Sequence, residues 1–245
     1  MADTFRLAAE LGYDGVEVMV WNEAPTQDAE GLRRLTDDYG LPIISVHAPT
    51  LLLTQRVWGR QPWDKVDRSL ELAEAVGAPV VVLHPPFRWQ RDYARDFVAG
   101  VAERERRHDV RLSVENMFPW KVKTARRERE VKAYLPGWDP LEQDYRSVTV
   151  DLSHTATAGS DALAMVRALG PRLAHLHLAD GSGGYKDEHL VPGTGSQPCA
   201  EVLRLLPEVG FTGSVAVEIN TRKMTTDERD AALVAALSFA RTHLD

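Results

Sequence analysis

Six of the eight histidines (His47, His84, His154, His175, His177 and His189) fall in or just beyond short β-branched runs of the sequence. Four acidic residues, Glu17, Glu115, Asp151 and Glu218, close such runs as well. A lone histidine at a strand end is most often a hydrogen-bonded core residue. Six of them with four carboxylates need another account, because burying so many ionisable groups without compensation is costly. A divalent cation supplies the missing positive charge. Imidazole combined with carboxylate suits zinc, manganese, cobalt or magnesium.

Local motifs refine this expectation. In D-L-S-H, Asp151 ends a run and His154 follows three residues later, a spacing at which both reach one cluster. In H-L-H-L-A-D, His175 and His177 share one face of a strand through the two-residue pleat. His177 is nearer the strand end and is the better ligand; His175 is deeper and reads as structural. D-E-H-L-V-P-G-T-G carries Asp187 and His189 on a long loop, where the plainer reading is a polar turn closed by Pro192 and Gly193. They serve a site only if residues 181–195 fold back over it.

Trp21, Phe87, Trp89, Phe118 and Trp120 follow the run ends within a few residues. Aromatic faces bury the C–H surface of sugars while polar groups fix the hydroxyls; ordinary packing is the plainer alternative. Glu17 is a candidate for binding a substrate hydroxyl, and Lys186 for pairing with a phosphate or carboxylate. The segment KVKTARREREVK, residues 121–132, has six Lys/Arg and two Glu. It reads as a solvated helix, or else as a cap on the mouth that holds a substrate phosphate.

Bringing these residues together requires elements that end on a common rim. Strand candidates lie at 14–20, 42–47, 79–84, 111–115, 147–151, 173–178 and 214–218. Amphipathic stretches such as DTFRLAAELG, AEGLRRLTDDYG, VDRSLELAEAVG and DALAMVRALG alternate with them and end in glycine. Strand ends recur roughly every 34 residues, as repeated βα units do. The expected fold is a TIM-type (β/α)8 barrel in one domain, residues 1–245, with every strand ending on the same face. Only seven strands are visible, and the chain opens on a helical pattern, Asp3–Gly12. The first barrel strand is therefore expected to be missing from these residues, leaving a gap between the strand ending near Glu218 and the one ending near Val20. An upstream segment is expected to supply it. An open doubly wound sheet is the other candidate, but GSGG at 181–184 opens no obvious helix and makes no dinucleotide fingerprint.

Taken in order, SVHAP, VVLHPP, LSVENM, VTVDLSH, LAHLHLAD, DEHLVPGTG and VAVEIN resemble the xylose-isomerase-like TIM-barrel superfamily. That grouping joins sugar and sugar-phosphate isomerases or epimerases with endonuclease IV. The resemblance runs from about Phe5 to the end of the chain and implies a metal-binding quartet of Glu115, Asp151, His177 and Glu218. It also gives counterparts for the further zinc ligands of endonuclease IV at His47, His84, His154, Asp187 and His189. In the isomerase reading, Glu115 and Glu218 flank the reacting carbon as acid and base beside a metal-polarised carbonyl. In the endonuclease reading, two or three zinc ions activate water against a phosphodiester of abasic DNA. A non-catalytic metal-binding barrel is the third reading.

Composition separates these classes. The 245 residues are 44% hydrophobic and 27% charged, ordinary globular values that exclude disordered and fibrous chains. A net charge of −7 disfavours a duplex binder and favours the isomerase or epimerase, acting on a small sugar or sugar phosphate. With Cys199 as the single cysteine, no intrachain disulfide and no thiolate zinc finger form. No apolar run reaches membrane-spanning length, and MADTFRLAAE has no signal-peptide pattern. The expectation is a cytoplasmic enzyme, possible as a homo-oligomer, without a membrane partner.

Overall fold

The protein's structure, a computed structural model, describes residues 1–50, 52–123 and 128–244. The chain opens on α1 (Ala2–Leu11), followed by β1 (Val16–Met19), α2 (Ala29–Tyr39), β2 (Ile43–His47), α3 (Pro62–Val76), β3 (Val80–Leu83), α4 (Arg91–Glu105) and β4 (Arg111–Glu115). Strands β5 (Trp120–Lys123) and β6 (Glu128–Val131) precede β7 (Ser147–Asp151), α5 (Leu152–Ala158) and α6 (Ala162–Leu169). Then come β8 (Leu173–Leu178), α7 (Cys199–Leu205), β9 (Ser214–Val217) and α8 (Thr226–Leu244). Helix α1 forms because its apolar residues fall at helical spacing, with Phe5 fully buried. It stops at Gly12, whose φ of 84° is strained for any residue with a side chain.

Seven parallel strands form one sheet in the order β1-β2-β3-β4-β7-β8-β9. Strands β3, β7 and β8 are buried along their whole length, which is why they read as nearly unbroken apolar or β-branched runs. The register sets Met19 beside His47 and Asp151 beside His177, so chemistry-bearing residues align at one rim.

The barrel is nearly closed and lacks one strand, between β9 and β1. That gap is a cavity of about 530 Å³ walled by Leu7 and Leu11 of α1, Val16 of β1, Val215 and Val217 of β9 and Leu233 of α8. Strand β9 is only half-buried along most of its length, as an edge strand is. Beside the gap the Tyr13 hydroxyl donates to the Leu233 carbonyl at 2.9 Å, tying the start of the barrel to its last helix.

The basic segment at 121–132 is not the expected helix. Its described part is an antiparallel hairpin of β5 and β6, and residues 124–127 lie outside the described residues. The register sets residue 121 across from residue 130 and residue 123 across from residue 128. Among the described residues no helix is long and apolar enough to cross a membrane. Cys199 is free and buried.

Candidate metal centre

Parallel strands in a barrel all deliver their C-terminal ends to one face. There Glu115 of β4, Asp151 of β7, His177 of β8 and Glu218, just past β9, each offer an atom within 4.8 Å of the others. Nδ1 of His177 lies 2.8 Å from Glu218 Oε2, 3.1 Å from Glu115 Oε1 and 3.7 Å from Asp151 Oδ2. Two further groups share these carboxylates: His47 and His84 with Glu115, and His154 and His189 with Asp151. Nε2 of His47 and of His84 lie 3.4 Å and 2.8 Å from Glu115 Oε2.

Backbone carbonyls fix how the rings are presented. Nδ1 of His47, His154 and His189 lies 3.2, 2.8 and 2.9 Å from the carbonyl oxygens of Ala48, Asn116 and Glu218. A carbonyl only accepts, so Nδ1 carries the hydrogen and Nε2 of each neutral ring keeps a lone pair. His177 is held the other way round. Glu17 accepts from its Nε2 side at 3.3 Å, which leaves Nδ1 towards the three carboxylates. Rings fixed in this manner are the usual form of metal-ligating histidine.

Glu115 Oε2 and Asp151 Oδ2 are buried and accept no well-formed hydrogen bond among the described residues. The histidine nitrogens beside these oxygens meet them without hydrogen-bond geometry, which is costly for a buried carboxylate, and a cation among the four side chains would satisfy both. The donor set, carboxylate and imidazole, therefore fits a divalent metal.

The electrostatics agree. Burial would raise Glu115, yet His84 and His177 hold its carboxyl well below the usual carboxylate range. Burial would depress His177, yet Glu17, Glu218 and Glu115 hold it well above its ordinary value. At His84 burial wins, helped by His47 and His154, and the ring is pushed down. Against burial, Asp151, Asp187 and Glu218 lift His189 to about 10, and Asp151, Asp187 and Glu115 raise His154. Protons on these rings stand in for the charge of a cation.

Local chemistry positions each donor. Asp151 caps α5, its Oδ1 accepting from the His154 N–H at 2.7 Å. The Asn116 amide accepts from the Asp151 N–H at 2.6 Å and donates to the Asp151 carbonyl at 3.1 Å, locking β7 beside β4 at the rim. Asp180, fully buried, accepts the N–H groups of Gly181, Gly193, Gly195 and Gln197 at 2.8, 2.9, 2.9 and 3.0 Å. These four bonds fold residues 181–197 back over the rim. Asp187 Oδ2 thereby lies 2.8 Å from His189 Nε2 and 3.2 Å from His154 Nε2. His189 holds φ at 46°, unusual for a residue with a side chain, while its N–H donates to Ser153 Oγ at 3.0 Å.

Above the cluster opens a cavity of about 530 Å³ whose walls include Trp21, Phe118, Tyr134, Leu53, Glu115, Glu218 and Arg222. Other expected substrate contacts lie elsewhere. Glu17 sits behind the quartet, accepting from Ser45 Oγ, His175 Nε2 and His177 Nε2, and borders the barrel gap. It is thus a support for the histidines, and His175 is its structural partner. Trp89 and Trp120 leave this cavity to pack with Phe87, whose ring lies parallel to that of Trp89 at 4.7 Å. Stacking on a neighbouring ring buries more apolar area than facing open solvent does. Lys186 is exposed and lies outside the lining of this cavity, with its carbonyl accepting from Thr157. Tyr134, Arg222, Asn116 and Asp180 had not been expected at the site. Asn116 and Asp180 directly follow the L-S-V-E and H-L-H-L-A motifs and were legible as their supports. Tyr134 and Arg222 stood in no pattern.

A family model described as xylose isomerase-like TIM barrel matches residues 5–243. An uncharacterised protein of Mycobacterium tuberculosis is 49% identical over 98% of this chain and 91% of its own. Fructoselysine 3-epimerase of Escherichia coli O157:H7 is 25% identical over 90% of this chain and 86% of its own. The solved structure of D-psicose 3-epimerase with D-tagatose from Clostridium cellulolyticum H10 superposes with a TM-score of 0.72. It shares 16% identity and covers 100% of this chain and 93% of its own, a likeness of fold.

Proposed function

This chain belongs to the xylose isomerase-like TIM barrel family, and we propose that it is a divalent-metal-dependent isomerase or epimerase of a small sugar or sugar phosphate. The observation that carries this reading is the convergence of Glu115, Asp151, His177 and Glu218 within 4.8 Å, with Glu115 and Glu218 also lining the cavity. The 25% identity to fructoselysine 3-epimerase supports the same class.

Glu115, Asp151, His177 and Glu218 would hold the cation, which supplies polarisation of a substrate carbonyl and a template for its neighbouring hydroxyl. Glu218 and Glu115 flank the adjacent carbon. One, ionised, accepts the proton from that carbon, and the electron pair passes to the carbonyl oxygen as an enediolate. The other carboxylate takes up a proton from solvent, against the histidines that hold it ionised, and returns it to carbon, and the carbonyl re-forms. The two groups exchange roles in the reverse direction. Trp21 and Phe118 cover the apolar faces of the sugar and exclude water from the carbanionic centre.

The test is a panel of ketoses and ketose phosphates incubated in D₂O with metal-loaded protein and followed by NMR. Epimer formation with deuterium entering at the carbon next to the carbonyl is expected. No exchange on any sugar, with the metal bound, refutes the reading.

One observation favours a second reading. The groups of His47, His84 and Glu115 and of Asp151, His154 and His189 adjoin the quartet, enough donors for three metals. Such a set suits zinc-assisted phosphodiester hydrolysis. Elemental analysis of protein purified without added metal divides the two. Three zinc ions per chain favour hydrolysis; a single manganese, cobalt or magnesium favours the isomerase.

A further inference from the structure

A second cavity, of about 420 Å³, adjoins the metal centre, and His84 is a wall of both. Arg56, Arg60 and Lys65 line it together with Trp89 and Gln90, and among the described residues no carboxylate does. Lys65 is 4% exposed. Its ammonium donates to the carbonyl oxygens of Pro49 and Thr54 at 3.2 and 2.7 Å, and among the described residues it forms no ion pair and no further hydrogen bond. Arg56 and Arg60 are exposed at the cavity edge and enter no ion pair among the described residues. His84 is buried, and its Nδ1 has no hydrogen-bond partner among the described residues.

An uncompensated buried cation is costly in the same way as a buried carboxylate. Burial has already pushed Lys65 down to about 8. In a chain of net charge −7, three cations around one cavity without an acid are a local feature and not a property of the whole surface. Two guanidinium groups and an ammonium match the several oxygens of a tetrahedral oxyanion better than the two of a carboxylate.

We infer that this side cavity, bounded by Arg56, Arg60 and Lys65, is a binding site for the phosphate group of a small phosphorylated sugar. This rests on the isomerase or epimerase reading of the adjoining centre and narrows its substrate to a sugar phosphate. The phosphate is remote from the reacting carbon. Its binding energy orients the sugar across His84 into the metal-side cavity, where the proton transfer takes place.

The probe is inorganic phosphate, titrated calorimetrically into chelator-treated protein so that no metal competes for it. The expected result is saturable binding that weakens at least tenfold in the Arg56→Gln/Arg60→Gln variant. Metal content after reloading should be the same in both proteins. Both arginines are exposed, so the variant should fold; circular dichroism checks it. No binding to the unaltered protein, or equal binding to the variant, overturns the inference. Acetate binding as tightly as phosphate overturns the assignment to a tetrahedral oxyanion. A DNA oligonucleotide held by the unaltered protein and released by the variant overturns the small-sugar assignment. With metal loaded, the variant should raise KM for a ketose phosphate at least tenfold and leave that for the unphosphorylated ketose within about twofold. If no sugar of either kind reacts while arginine-dependent phosphate binding persists, the isomerase reading fails and the phosphate site stands.

Discussion

His177 Nδ1 lies 2.8 Å from Glu218 Oε2, a contact that joins β8 to the residue just past β9 at the edge of the barrel gap. Among the described residues strand β9 has a neighbour on one side only, so Glu218 is held as much by this contact as by its strand. Glu218→Gln keeps the shape and removes the charge and the proton acceptor. Turnover should fall about 10²- to 10⁴-fold, while the metal-free protein keeps its fold with a lower thermal midpoint, because His177 and His189 lose one of the charges that hold their protons. Kinetics and thermal scans of the pair of proteins check this. A variant retaining full turnover would remove Glu218 from the chemistry.

The pH dependence has a definite sign. His189 is lifted from 6.5 to about 10 in the folded, metal-free protein. A group whose pKa rises on folding contributes stability fully below its unfolded value and loses it as pH climbs through the folded one. The thermal midpoint of metal-free protein should therefore fall between about pH 7 and pH 10. Metal needs the same nitrogens without protons, so metal affinity should rise over that range, with proton release on binding. Calorimetry in buffers of different ionisation enthalpy measures the protons. Metal affinity independent of pH would contradict the assignment of these histidines as ligands.

Asp187 stands between two histidines, 2.8 Å from His189 Nε2 and 3.2 Å from His154 Nε2. Where a second metal binds beside the quartet, Asp187→Asn should weaken its retention about 10- to 100-fold and leave the quartet loaded. Competition with a chromophoric chelator resolves the two classes of metal. Uniform loss from all sites would show that Asp187 acts on the fold and not on one site.

The loop that carries Asp187 depends on Asp180. Asp180→Asn replaces one of the two oxygens that accept four N–H groups by an NH₂, which repels the donors it faces. Metal retention should drop as for Asp187→Asn, and proteolysis should cut first within residues 181–197. Gly195→Ala should do the same, because a Cβ there overlaps Asp180 Oδ1 and the Gly181 carbonyl. Intact loops in both variants would disprove the anchoring role of Asp180.

The alternation of β-branched runs with amphipathic, glycine-ended stretches was enough to fix seven parallel strands, the helix at the start and the gap between Glu218 and Val20. Those features are local: strand and helix periods are written into neighbouring residues. The strand-end acids and histidines were legible for the same reason, since a parallel barrel delivers every strand end to one rim whatever the details of packing. The roles of side chains within that rim were not. Glu17 and His177 share a carboxylate–imidazole contact between residues far apart in sequence, and only the curling of the sheet into a barrel brought Glu17 across the interior to His175 and His177. Trp89 and Trp120 had the composition of a sugar platform, but a free neighbour, Phe87, captured them. The hairpin at β5 and β6 stands where a helix was expected, a strand pairing that composition alone does not reveal. The cations of Arg56, Arg60 and Lys65 are spread over ten residues of sequence. They become one site only through the turn that leads from β2 into α3 and the packing of that turn against His84. Proximity in three dimensions, and the loss of water that comes with it, decided what each charge is for.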